Sequence, residues 1–368
     1  MDGLQDIRVL RDIGFFGWNM NYSVKRGKKI SYPDPEYAQW DDFLARLDIN
    51  GQPDAITDIK ELNKKLSDEE PLKLSDKLER GRRNQPIIFW ESPYCVPPTI
   101  ACYVASHIRG CNLDEVDFLI HGSVLGVLSR CKTTTNQESI MVQRLGGRNV
   151  INIRIVIERN GSLSDSGHQF ERLVSGNDPF GRHNLIQHQY LRLLQIGPYK
   201  ILTYAESDAL DPNNNKPVEI KIKNPLIENS HGRDMIKLLL QMISNGSGLL
   251  ITASRTKEKQ SCIINSVEQY SIDTLAQSLT DDPRPRIETI QTNLGCIKDT
   301  IKEGNEECYE LLLKSRQTAE LVRYKKDQMP RRTQHDFQTL NSKLYKEFCK
   351  GVQSPSKEGK WPFYVIVT

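Results

Sequence analysis

Apolar positions in the middle of the chain follow two periods. The run Val150–Glu158 (VINIRIVIE) is rich in β-branched residues and predicts a strand, with a shorter one before it over Ile140–Gln143. Ile201–Asp208 and Val218–Lys223 read as two more strands, joined by a loop whose core is DPNNNK. Gly248–Ser254 and Ser261–Val267 predict a further pair. Helical spacing appears over His168–Val174, with Ser164 or Asp165 as its cap, and over Leu185–Leu194. A longer helix runs from Asn229 or Ser230 through Met242 and ends at Gly246. Nearer the N-terminus, Tyr37–Leu47 is helically spaced, whereas Phe15–Tyr22 reads as strand and turn with aromatics that pack. Beyond Asp282 the pattern turns helical and polar for most of the remaining chain, closing on a short strand at Phe363–Val367.

No repeat and no low-complexity linker interrupts the 368 residues, so the pattern predicts one continuous domain over 1–368 with a basic, helical portion over 283–360. A chain of this length buries a substantial core, which leaves function unconstrained by size. Fifty basic against 47 acidic residues give +3, too little to mark a nucleic-acid binder. The distribution changes the picture: Lys314–Lys360 holds twelve Lys or Arg against five acids, a net +7, leaving the remainder at about −4. That segment suits phosphate contact or a solvated helical face. The eight cysteines are scattered without a C-x-x-C pair, which argues against a zinc site or a disulfide framework. With no leader-like start and no 18-residue apolar run, the expectation is a soluble, intracellular protein of the cytoplasm or nucleus, without membrane contact.

Candidate chemistry gathers in the stretch TYAESDALDPNNNKPVEIKIKN (Thr203–Asn224). On a strand alternate side chains share a face, so Glu206 and Asp208 project together, as do Glu219 and Lys221. The other face of the second strand, Val218, Ile220 and Ile222, is aliphatic and belongs in the core. If the two strands are neighbours, three carboxylates and one ammonium converge, and the carboxylates repel unless a divalent cation neutralises them. Magnesium suits such a cluster, since hard cations prefer oxygen ligands and keep water for chemistry. Each pair alone is common on exposed strands; their combination is what carries weight. Two flanking residues add to it: Glu171, in GHQFE on a predicted helix, and Gln241, a lone amide in the apolar helix KLLLQM.

In order, GHQFE, ESD, EIK and LLLQ followed by GLLITASR resemble the motifs of the DXO family of decapping nucleases, over Gly167–Arg255. The resemblance implies a mixed α/β fold with central β-sheets flanked by helices, related to the D-(D/E)-x-K nucleases. It implies hydrolysis at capped or phosphorylated RNA 5′ ends: removal of incomplete or noncanonical caps such as NAD caps, pyrophosphate release, and 5′-to-3′ exoribonuclease action. Glu171, Glu206, Asp208, Glu219 and the carbonyl of Ile220 would then hold two magnesium or manganese ions. Lys221 and Gln241 would contact the scissile phosphate and orient water. One departure stands out: where the family has an arginine before a glycine, this chain has His121 before Gly122, in DFLIHGSVLGVL. Histidine is only partly charged near neutral pH, so substrate grip there would be weaker or differently selective. His188 falls near a position that contacts substrate in relatives. Two other readings stay open: a catalytically weakened member that binds RNA ends or partners an exonuclease, and a nuclease of DNA.

Overall fold

The computed structural model describes residues 4–19, 47–69, 71–75, 98–130, 138–145, 149–157, 166–180, 186–223, 226, 232–258, 261–302, 307–313 and 319–323. In chain order the strands are β1 (Ile7–Asn19), β2 (Leu47–Asp48), β3 (Leu72–Ser75), β4 (Phe118–His121), β5 (Glu138–Arg144), β6 (Ile151–Ile157), β7 (Ile186–Ile196), β8 (Tyr199–Glu206), β9 (Ala209–Asp211), β10 (Lys216–Lys221), β11 (Leu249–Lys257), β12 (Ser261–Ser271), β13 (Cys308–Leu313) and β14 (Ala319–Arg323). The helices are α1 (Ile59–Asp68), α2 (Pro98–Ile108), α3 (Gly122–Leu128), α4 (Ser166–Val174), α5 (Gly232–Asn245), α6 (Ile272–Gln277) and α7 (Arg284–Thr300). The expected mixed α/β class is what the chain adopts.

Two mixed sheets organise the molecule. The larger has nine strands in the order β14-β13-β5-β6-β4-β8-β7-β1-β2, and the smaller has five, β3-β12-β11-β10-β9. The parallel ladders lie at the centres, where β4 lies between β6 and β8 and where β10 meets β11. One face of the large sheet buries Phe16, Leu119, Leu191 and Leu202 with Tyr103 of α2, and the other buries Ile120, Ile153 and Ile201 against α3, α5 and α7. The small sheet packs Val218, Ile220 and Ile251 with Phe170 of α4 and Leu62 of α1.

Helix α5 serves both sheets. Ile236 and Leu240 enter the core of the nine-stranded sheet, while Met235, Leu239 and Met242 pack with Leu250 of the five-stranded one. A helix apolar on most sides is the one that becomes central.

Two sequence expectations are corrected. Over Leu185–Leu194, expected helical, the described residues form strand β7, paired antiparallel along its length with β1 and β8. Tyr190, Leu191 and Leu194 are buried on alternate and adjacent positions because the strand is covered on both faces, which erases the alternation that marks a half-buried strand. Beyond Asp282 the described chain is helical only over α7; β13 and β14 then extend the large sheet, β13 pairing with β5. Their apolar runs are short, and only the waiting edge of β5 decides their state. The predicted cap at Ser164 or Asp165, the start at Asn229 or Ser230, residues 37–46 and Phe363–Val367 lie outside the described residues. Among the described residues no helix is long and apolar enough to cross a membrane.

Candidate active site

The site forms where the chain passes from one sheet to the other. Strand β8 ends in the large sheet at Glu206; Ser207 still donates its N–H to the His188 carbonyl at 2.9 Å, and β9 then begins in the small sheet at Ala209. Glu206 and Asp208 therefore straddle a crossing and do not share a strand face. Strand β10, carrying Glu219 and Lys221, is no neighbour of β8: its partners are β9 and β11. The sequence argument assumed adjacent strands, and the convergence it sought arises from the crossing instead. The β9–β10 ladder stops at Val218↔Ala209, and one step on, Asp208 Oδ2 accepts the Ile220 N–H at 2.8 Å, so the carboxylate prolongs the ladder.

Glu219 is 1% exposed, and its oxygens are met by three donors. Gln241 Nε2 donates to Oε1 at 2.7 Å, Asn245 Nδ2 donates to Oε2 at 2.5 Å, and the Lys221 ammonium pairs with Oε1. A buried carboxylate needs this replacement for water. Burial opposes the charge on Lys221, but Glu219 and Asp208 outweigh it and hold its pKa above the ordinary lysine value. Glu171 lies on α4, as expected, with its Oε2 3.0 Å from His168 Nδ1.

Glu206 is different. The residue is exposed, yet protein crowds around its carboxylate. That crowding first, and then the charge of Glu171, push its pKa up to about 7. Burial, followed by the charges of Glu219 and Glu171, raises Asp208 well above the usual carboxylate range. The four carboxylates thus feel one another, with Lys221 as their cation. Among the described residues no three acid, histidine or cysteine side chains stand close enough to hold an ion together; Glu171, Asp208 and Glu219 are each turned to a protein donor. The donor chemistry, oxygen only, fits a hard divalent cation.

His121 closes β4 beside Tyr204, its ring edge-on to the tyrosine at 5.2 Å, with Nδ1 2.8 Å from Ser123 Oγ. Burial pushes its pKa down to about 4, so at neutral pH the position carries no charge, unlike an arginine. Gly122 is packed so closely that a Cβ there would lie 2.6 Å from Ala205 Cβ and 2.8 Å from Ser244 Oγ. His188 pairs with Gly17, on the strand face opposite Gln189 and Glu206. The structure therefore brings Glu171, Glu206, Asp208, Glu219, Lys221 and Gln241 to one place and sets His121 and Gly122 one strand away.

Three residues escaped the sequence reading. Asn245 follows Gln241 by four positions on α5, the spacing that places both on one helix face, so the pattern carried the signal. His168, three residues before Glu171, carried the same kind of signal. Gln189 had none: it is 4% exposed, stands directly across from Glu206, and its Oε1 has no hydrogen-bond partner.

No protein-family model matches the chain, and no curated protein matches it in sequence. Solved structures do. S. pombe Rai1 superposes with a TM-score of 0.58 at 14% identity, covering 87% of this chain and 95% of that one; the same protein is also solved with 3′-FADP. Candida albicans Rai1 in complex with pU5 and Mn2+ gives 0.55 at 12% identity, covering 92% and 95%. K. lactis Dxo1 in complex with manganese gives 0.53 at 12% identity, covering 85% and 98%. The chain has the fold of the Rai1 and Dxo1 structures, the family that its motifs resemble.

Proposed function

We propose that the protein is a divalent-cation-dependent hydrolase of RNA 5′ ends, removing noncanonical or incomplete caps, NAD caps among them, or pyrophosphate, and digesting RNA from 5′ to 3′. The observation that carries this reading is the buried Glu219, met by Gln241, Asn245 and Lys221, beside Asp208, Glu206 and Glu171. A binding surface has no need of so costly a cluster. The pU5 and manganese held by Candida albicans Rai1, and the 3′-FADP held by S. pombe Rai1, support the same substrate class.

Glu171, Glu206, Asp208, Glu219 and the Ile220 carbonyl would hold the ions, magnesium or manganese. Bound there, they would make water easier to deprotonate and offset charge on the phosphoryl oxygens. Lys221 sets a fixed ammonium at the phosphate, a donor aimed at developing charge. Gln241 gives one N–H to Glu219, and its own Oε1 is an acceptor that would orient the attacking water. The neutral His121 weakens the grip on a 5′ phosphate relative to an arginine and leaves room for uncharged cap groups. A single domain over 1–368 with the motifs in 167–255 belongs to the same reading, whereas partnering an exonuclease belongs to the alternative of a catalytically weakened RNA-end binder.

The test uses purified protein with Mg2+ or Mn2+ and 3′-labelled RNAs ending in a monophosphate, a triphosphate, an unmethylated guanosine cap or an NAD cap. An Asp208→Ala, Glu219→Ala double variant runs beside it, with single-stranded DNA of equal length. Shortening or decapping of any of these RNAs by wild type and not by the variant supports the reading. Silence from both proteins with either metal sinks it and leaves RNA-end binding as the better account; equal cutting of DNA removes the RNA assignment.

A further inference from the structure

The last turn of α5 ties together everything that surrounds the cleft. Ser244 Oγ donates to the Gly122 carbonyl at 3.1 Å, and Thr203 Oγ1 of β8 donates to the Ser244 carbonyl at 2.8 Å. Gly246 ends the helix at φ 78°, and a Cβ there would stand 2.5 Å from the Tyr190 ring of β7. These contacts bolt the turn to the nine-stranded sheet. Gln241 and Asn245 reach the other way, to Glu219 of the five-stranded sheet.

Asn245 is wholly buried, at 0% exposure. Its amide has one orientation that satisfies both ends: Oδ1 accepts the Ser247 N–H at 3.0 Å, which turns Nδ2 onto Glu219 Oε2 at 2.5 Å. A carboxylate has about four lone-pair directions. Gln241 and Lys221 take both on Oε1, and Asn245 takes one on Oε2, so one direction of Oε2 remains for a cation.

We propose that Asn245 is a positioning residue for cation binding: by holding Glu219 Oε2 from the rigid end of α5, it fixes the single direction in which Glu219 can meet a divalent ion. This rests on the hydrolase reading given above. Hydrogen bonds of this kind behind a metal ligand are worth about 10–100-fold in metal affinity.

The experiment titrates Mn2+ into RNA-free protein by calorimetry, with the spin resonance of free Mn2+ as a second readout. Wild type is compared with Asn245→Ala, Asn245→Ser and Ser244→Ala. Serine at 245 can still accept the Ser247 N–H locally but stops short of Glu219, which keeps the turn if alanine unfolds it. Ser244→Ala damages the same turn without touching Glu219. The expected result is a 10–100-fold loss of Mn2+ affinity in the folded Asn245 variants, near-wild-type affinity in Ser244→Ala despite a lower Tm, and a fall in kcat on RNA with KM for RNA unmoved. Asn245 variants that bind Mn2+ as tightly as a Mn2+-binding wild type overturn the assignment alone. A wild type that takes up no Mn2+ overturns the hydrolase reading and this assignment with it.

Discussion

Glu219 on β10 and Glu206 at the close of β8 belong to one acidic cluster, and the protein surrounds them in opposite ways. Glu219 is 1% exposed and its two oxygens receive Gln241, Asn245 and Lys221. Glu206 is exposed, and no donor among the described residues meets its carboxylate; its pKa is pushed up to about 7. A charge shut away from water persists only where fixed dipoles replace the water, so the Glu219 side of the site is built in advance and rigid. Glu206 stands at the surface with protein crowded around it, and its charge answers to that crowding and to Glu171. One carboxylate anchors, and the other adjusts.

The largest expected difference separates the two alanine variants. Both Glu219→Ala and Glu206→Ala should lose on the order of 10²–10³-fold in kcat on RNA, since each removes a carboxylate that would hold a cation offsetting charge on the reacting phosphate. Only Glu219→Ala should also cost about 3 kcal/mol in urea unfolding with chelator present, because it strands buried donors beside Lys221. Glu206→Ala should cost no stability near neutral pH, because it removes a carboxylate whose raised pKa opposes folding there. Equal stability losses would erase the distinction.

Gly122→Ala asks whether the rigid side extends into the backbone behind the cleft. A methyl group 2.6 Å from Ala205 Cβ and 2.8 Å from Ser244 Oγ has no room, so stability should fall by about 1–3 kcal/mol, read as a lower Tm. An unchanged Tm would mean that the α5 turn yields easily.

A pH series sharpens the other side. The folded pKa of Glu206, about 7, lies above its ordinary 4.5, so between those values the unfolded chain has released a proton that the folded chain still holds. Cation-free wild type should therefore lose stability as pH rises through that window, and Glu206→Gln should flatten the slope. Asp208 acts in the same direction and remains in both proteins, so the difference between the two thermal-melt profiles isolates Glu206. Parallel profiles would place its titration outside the window.

The smallest effect belongs to Gln189, directly opposite Glu206. Its buried Oε1 lacks a partner, so Gln189→Leu removes an unsatisfied group at nearly constant volume and should raise stability by about 1 kcal/mol in cation-free protein. A loss of stability would show that the amide is satisfied after all.

Much of the site was legible because its residues are close in sequence or sit on regular elements. Glu171 lies on α4 where GHQFE placed it, and the alternation in VEIKI separated Val218 and Ile220, which are buried, from Glu219 and Lys221. Two inferences failed for a shared reason. Strand β7 resembled a helix because neighbours cover both of its faces, and the adjacency assumed for the ESD and EIK segments is replaced by a crossing between sheets. In each case the deciding partner lies outside the local window.

The sequence by itself determined which groups have the right chemistry: four carboxylates, one lysine and one helical amide, at spacings that regular backbone periodicity converts into shared faces. Tertiary structure alone decided that Glu219 is buried and triply held while Glu206 stays exposed, and that the last turn of α5 joins the two sheets beside it. Burial and hydrogen-bond satisfaction depend on surfaces that meet only when distant segments pack, and no local pattern encodes them.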